Sequence, residues 1–212
     1  NRAKVLVNRL KTNNPDFKYI FFSDADINAF LETNYPEYIE TFNNFTYTVQ
    51  KIDFFRLLVI YHFGGFYFDI DISNYKCLDE LCNISSCVFP QEYSQNGDPY
   101  LQNKNMNILI GNYGFGACPK NNFIKFCIDR IITPTISIND IPGKGCWYDK
   151  YIFYTTGPVL VRDCYADYIN KHEILIIKPT TNDISCFGDF AFHERHGTWR
   201  IPGDPSVEII RD

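Results

Sequence analysis

The sequence predicts an α/β domain built on one central mixed, mostly parallel sheet. Three observations lead there. Helical and strand patterns alternate through the first 72 residues, as they do when helices cover a sheet. Acidic residues follow two apolar runs, at the strand ends where ligands of such sheets collect. A length of 212 residues with 45% apolar side chains is enough for one sizeable core, so residues 1–212 are expected to form one domain.

The elements follow in order. Ala3 to Lys11 reads as a helix with Val5, Leu6, Val7 and Leu10 apolar, and Asn13-Asn14-Pro15-Asp16 as a turn. Phe17 to Phe22 reads as a strand ending at Ser23-Asp24. Helical patterns cover Ile27 to Thr33 and Pro36 to Phe42. From Val49 to Phe63 no Pro or Gly intervenes, and Ile52, Phe55, Leu58, Val59 and Phe63 recur at three- and four-residue steps, so an amphipathic, buried helix is expected. Gly64 and Gly65 stop it and leave room for a ligand beside the backbone. Phe66, Tyr67 and Phe68 then form a strand, on which Asp69 and Asp71 share a face and can converge on one cation. Farther on, Gln95 to Pro99 reads as a turn or loop and Asn107 to Phe115 as a strand. Phe123 to Ile132 reads as a helix, and Thr133 to Tyr148 as a long loop. Thr156 is placed as an N-cap, with Pro158 opening a helix to about Asn170. Glu173 to Ile177 is the last strand.

Composition bounds the function. A net charge of −5 with no basic run argues against nucleic acid as a partner. No apolar stretch is long enough to span a bilayer. Eight cysteines lack any C-x-x-C spacing, which argues against structural zinc; their even number permits disulfides, although scattered cysteines in a domain of this size are more often buried thiols. Asn44-Phe-Thr46 and Asn83-Ile-Ser85 are glycosylation triplets of a kind that an Asn-rich chain also produces by chance.

The chemistry concentrates between Lys51 and Ile72. Asp53 and Arg56 lie three apart on one helix face and can pair; from those two residues alone, a surface salt bridge reads equally well. Asp-x-Asp by itself is a weak signal, because Asp24-Ala25-Asp26 repeats it in the same chain. Its context is what carries weight. Asp53-x-x-Arg56, seven residues, then Gly64-Gly65-x-Tyr67-x-Asp69-x-Asp71 resembles the sugar-binding region of glycosyltransferase family 32. That family includes Golgi initiating mannosyltransferases and bacterial capsule enzymes, and shares its core with the glucosylating domains of large clostridial toxins. Three further segments match in order: Asn112-Tyr-Gly-Phe-Gly-Ala-Cys-Pro119, Thr156-Gly157-Pro158, and His193-Glu-Arg-His-Gly-Thr-Trp199. The family's opening strand, of the type I-P-K-x-I-H-Q-x-W, has no counterpart here, which leaves base recognition unassigned.

The resemblance implies a GT-A-like, Rossmann-type nucleotide-binding domain and a retaining, metal-dependent hexosyl transfer. Its donor would be a UDP- or GDP-sugar, and its acceptor a glycan, protein or lipid. Asp69, Asp71 and His193 would hold Mn2+ or Mg2+, whose hard charge suits carboxylates and diphosphate. His196 competes with His193 for that place. Asp53 and Arg56 would act on the donor sugar. Ser23, Asp24, Gly64, Gly65, Tyr67, Asp69, Asn112 and Trp199 would line the donor site. For Asn112 the other reading is backbone satisfaction, and for Trp199 it is packing. A lid from His193 to Trp199 would close on the donor. The same site could instead hydrolyse nucleotide sugars, or bind them without turnover. Location follows from source: cytoplasmic for a viral or protist chain, Golgi-lumenal if an anchor precedes Asn1.

Overall fold

Side-chain alternation sorts a five-stranded sheet between two apolar layers. The computed structural model describes residues 2–92, 106, 108–137, 141, 147–180 and 185–195. In chain order its helices are α1 (Arg2–Asn13), α2 (Asp24–Asn34), α3 (Ile39–Asn44), α4 (Thr48–Phe63), α5 (Asp79–Ile84), α6 (Asn122–Ile132), α7 (Trp147–Thr155) and α8 (Pro158–Asp167). The strands are β1 (Gly65–Phe68), β2 (Ile72–Asn74), β3 (Cys87–Glu92), β4 (Leu109–Ile110), β5 (Gly114–Ala117), β6 (Ile174–Ile177), β7 (Cys186–Phe187) and β8 (Ala191–His193). Cys87, Phe89, Ile174 and Ile176 point to one face, where α2, α3, α4, α6 and α8 pack. Val88, Leu175 and Ile177 point to the other, against a small sheet and α1. That two-residue period is what an extended backbone imposes.

The sheet is mixed, as expected, but not mostly parallel. β1–β5, β5–β3 and β3–β4 are antiparallel, and β3–β6 is the parallel pair. The small sheet, in the order β2-β8-β7, is antiparallel throughout. The parallel expectation took Phe17 to Phe22 as a strand feeding a βαβ unit. That segment joins no sheet, and Ile20 and Phe21 are exposed. Local apolar character does not make a strand without a neighbour to share its hydrogen bonds.

Helix α4 begins one residue before the expected start and ends where the glycines end it. It is buried, as expected, but not one-sided as an amphipathic helix is: Phe54, Phe55, Leu57, Leu58 and Ile60 are all buried, whereas Phe63 is half exposed. A helix buried over most of its surface belongs inside a layered domain; the helices around it provide that cover, and its buried Gln50, Asp53 and Arg56 need polar partners there.

Gly64 closes α4 with φ 69°, its N–H donating to the Ile60 carbonyl at 2.8 Å. A Cβ there would stand 2.6 Å from Pro119 Cδ and 2.8 Å from its backbone nitrogen, so this glycine makes room for Pro119, not for a ligand. Gly65, at φ 84°, has open space over its backbone. Gly64→Ala should therefore lower stability by roughly 2–3 kcal/mol, and Gly65→Ala by about 1 kcal/mol, from backbone strain alone. Urea unfolding of the two variants checks the order; equal losses would remove the Pro119 contact from the account.

Candidate donor and metal site

Strand β1 ends at a point where the neighbouring strand is interrupted. The expected strand over Asn107 to Phe115 is split into β4 and β5; Gly111 still donates its N–H to the Pro90 carbonyl of β3 at 3.0 Å, and Asn112 and Tyr113 leave the ladder. Their backbone turns to the site instead. The Asp69 N–H donates to the Tyr113 carbonyl at 2.8 Å, and Arg56 Nη1 donates to the Asn112 carbonyl at 2.6 Å.

Asp69 and Asp71 do converge, though not as alternate residues of a strand. The Ile72 N–H donates to the Asp69 carbonyl at 3.1 Å, closing a turn that sends the chain from β1 into β2. Ile70, between the two carboxylates, is 62% exposed. His193 is paired with Ile72 across the small sheet. Its Nε2 lies 3.3 Å from Asp71 Oδ1, and its ring stacks on Tyr113 at 4.6 Å. Donor atoms of Asp69, Asp71 and His193 all lie within 4.8 Å of one another. Two carboxylate oxygens and an imidazole nitrogen at that spacing suit a divalent cation of the Mn2+ or Mg2+ type.

Behind this group is a dry network. Asp53 is 4% exposed and Arg56 5%, so the pair is not a surface salt bridge. Arg56 Nη2 stands 3.2 Å from Asp53 Oδ1 and 3.5 Å from Asp69 Oδ1, bridging the helix to the turn. Asn112 Nδ2 donates to Asp53 Oδ1 at 3.0 Å, and Thr156 Oγ1 donates to Asp53 Oδ2 at 2.9 Å. The Tyr67 hydroxyl donates to Asp69 Oδ1 at 2.7 Å, while the guanidinium lies 4.7 Å from the Tyr67 ring centre. Burial pushes the Asp53 carboxyl up to about 6, against the pull of Arg56, Thr156 and Asn112. Burial works against the charge of Arg56 too, yet Asp69, Tyr67 and Asp53 around it keep it firmly protonated. The Tyr67 hydroxyl, chiefly through burial, is held well above its ordinary value and remains a donor.

Other expected site residues are placed differently. Ser23 caps α2, its hydroxyl accepting from the Asp26 N–H in a capping box, and Asp24 is exposed in that helix's first turn. None of the bonds above joins them to Asp69. Tyr19, from the same segment, does line a small cleft with Phe68, Asp69 and Ile70. Thr156 is not an N-cap: Gly157 holds that position without a side-chain cap. A buried hydroxyl on Asp53 is a role that sequence reasoning missed, and the Thr-Gly-Pro triplet was its signal. Trp199 and His196 lie outside the described residues, as do Gln95 to Pro99. The described cysteines, Cys77, Cys82, Cys87, Cys118, Cys127, Cys164 and Cys186, are free thiols. Among the described residues no helix is long and apolar enough to cross a membrane.

Residues 1–88 match the model of the glycosyltransferase sugar-binding region containing the DXD motif. Inositol phosphoceramide mannosyltransferase 1 of Schizosaccharomyces pombe is 26% identical over 82% of this chain and 49% of its own length. Inositol phosphoceramide mannosyltransferase 2 of the same yeast is 37% identical over 73% of this chain and 39% of its own. The uncharacterized glycosyltransferase L373 of Acanthamoeba polyphaga mimivirus is 35% identical over 85% of this chain and 61% of its own length. The chain thus spans about half the length of the curated relatives it matches. The matched region carries the two DXD aspartates and the buried Asp53–Arg56 pair behind them, and on this ground the chain belongs to the DXD-containing glycosyltransferases of family 32.

Proposed function

We propose that this chain is the donor-binding core of a metal-dependent glycosyltransferase that moves mannose from a nucleotide sugar, with GDP-mannose as first donor, to a hydroxyl of a lipid-linked or glycan acceptor. The observation that carries the reading is the convergence of Asp69, Asp71 and His193, backed by Arg56. Mannose as the sugar, and a lipid headgroup such as inositol phosphoceramide as acceptor, follow from the names of the yeast relatives.

Transfer breaks the bond between the anomeric carbon and the diphosphate and forms one to the acceptor oxygen. The acceptor's proton passes to the departing diphosphate, and the linkage is retained as α. Asp71, Asp69 and His193 would hold a divalent cation, which would supply charge neutralisation to the leaving diphosphate. Arg56 holds Asp69 from behind, Tyr67 donates to the same carboxylate, and Asp53 with Asn112 fixes Arg56. Such preorganised charge is effective because the pair is shielded from water. Gly65, with open space over its backbone, is the glycine suited to lie beside the donor.

A panel of GDP- and UDP-hexoses with Mn2+, with and without inositol phosphoceramide, tests this by diphosphate release and by mass of the product. Mannosylated product from GDP-mannose is expected. Release of free sugar alone would assign the site to hydrolysis, and turnover of UDP-hexoses alone would remove mannose.

A further inference from the structure

The buried network ends on a residue from the second half of the chain. Thr156 follows the last turn of α7, and its N–H still donates to the Ile152 carbonyl at 2.9 Å. Its side chain is 1% exposed. The single hydroxyl proton has two acceptors in reach, Asp53 Oδ2 at 2.9 Å and the Ile152 carbonyl at 3.4 Å. The nearer acceptor is also the charged one, so the proton goes to Asp53. Backbone on either side fixes that aim. Gly157 passes so close to α7 that a Cβ would stand 2.9 Å from Phe153 Cα, and Pro158 opens α8 directly after it.

Asp53 divides its two oxygens between different duties. Oδ1 receives Asn112 and Arg56; Oδ2 receives Thr156. Without the Thr156 hydroxyl, Oδ2 would stand in a dry site with its described donor gone. The carboxylate would then turn toward Arg56 or take up a proton. In either case the guanidinium loses the geometry that keeps Nη2 between Asp53 and Asp69.

We infer that Thr156 is a positioning residue of the donor site: from the α7–α8 junction its hydroxyl orients Asp53, which aims Arg56 at Asp69. The inference rests on the proposed transfer for its effect on turnover, though not for its effect on cation binding. It ties the second half of the chain to a site whose aspartates all lie in the first. It also accounts for the Thr-Gly-Pro triplet, which supplies a hydroxyl at a fixed angle, a close helix approach and a rigid restart.

The test compares Thr156→Val and Thr156→Ser in the full chain and again on an Asp53→Asn background. Mn2+ affinity is read from the electron paramagnetic resonance of free Mn2+, and kcat and KM from diphosphate release with GDP-mannose. Thr156→Val should lower kcat about 10-fold or more and weaken Mn2+ binding about 3-fold, while Thr156→Ser stays within about 2-fold of the parent. On the Asp53→Asn background the valine should cost nothing further. If Thr156→Val does not fold, Thr156→Cys, a weaker donor of similar size, takes its place in the same cycle. Parental values for both readouts would overturn the inference. So would a serine variant as impaired as the valine one, or a valine effect undiminished on the Asp53→Asn background. If the parent turns over no donor, the transfer reading falls, and the Mn2+ cycle alone decides the role of Thr156.

Discussion

Replacing Asp71 with alanine should cut metal-dependent turnover by about three orders of magnitude and weaken Mn2+ binding to near background. An electrostatic interaction with a leaving diphosphate is worth several kcal/mol, and each ~1.4 kcal/mol is a factor of ten in rate. Asp71 supplies one of three clustered donors and is the one in contact with His193. Losing it removes a ligand and leaves the imidazole without its charged neighbour. The fold should survive, because backbone contacts to the C-terminal segment remain when the Asp71–His193 side-chain contact is lost: the Glu194 N–H donates to the Asp71 carbonyl at 3.0 Å, and Ile72 stays paired with His193. Thermal melting, a Mn2+ titration and diphosphate release measure the three quantities separately. A folded Asp71→Ala protein turning over at the parental rate with Mn2+ would remove the metal assignment.

The second large effect belongs to Asp53. Asp53→Ala leaves Arg56 buried with one carboxylate fewer, and should cost about 3–5 kcal/mol of stability, the usual penalty for breaking a buried pair from one side. Asp53→Asn keeps the shape, but its one carbonyl oxygen cannot serve Asn112 and Arg56 on one side and the Thr156 hydroxyl on the other. It should cost less stability than the alanine, but lower turnover by about 100-fold through the loss of Arg56 alignment. An equal loss of stability and activity in the asparagine variant would mark the pair as structural only. The pH dependence gives an independent handle. Asp53 in the folded chain titrates near 6, above its ordinary 3.8, so the folded state holds this proton more tightly than the unfolded one. Ionised Asp53 therefore costs stability above pH 6, and that cost is relieved as pH falls from 6 toward 4. The stability of the parent relative to Asp53→Asn should rise over that interval in urea titrations. A difference that stays flat, or falls, would contradict the burial of an ionisable Asp53.

The parts of this molecule legible in its sequence are those whose causes are local. Helix α4 is announced by an unbroken run of helix-compatible residues, and its end by two glycines at positive φ. Strand β1 follows from three aromatics. The convergence of Asp69, Asp71 and His193 matches the motif that suggested it, although a tight turn and not a strand brings the two aspartates together. What failed was non-local. Strand direction depends on partners far away in sequence, and the segment from Phe17 to Phe22 looked like a strand but joins no sheet. The break between β4 and β5 was hidden because its two halves share one apolar pattern; the interruption exists to bring Asn112 and Tyr113 to Arg56 and Asp69. Thr156 looked like a cap because caps and buried hydroxyls draw on the same residue types.

The turn from Asp69 to Ile72 joins the five-stranded sheet to the three-stranded one. Asp69 follows the last residue of β1 in the large sheet, Asp71 precedes the first residue of β2 in the small one, and His193 closes β8 beside it. The turn is thus a ruler: with Arg56 and Tyr67 holding Asp69 and His193 beside Asp71, its length sets how far apart the two backbone positions stand. Side chains at Ile70 can vary without touching that distance, since the residue faces outward. Adding or deleting one residue there would shift β2 by one position against β8, and so turn Asp71 away from His193 while the helices and the large sheet stayed whole. Such a chain would keep its architecture and lose its ligand set in a single step.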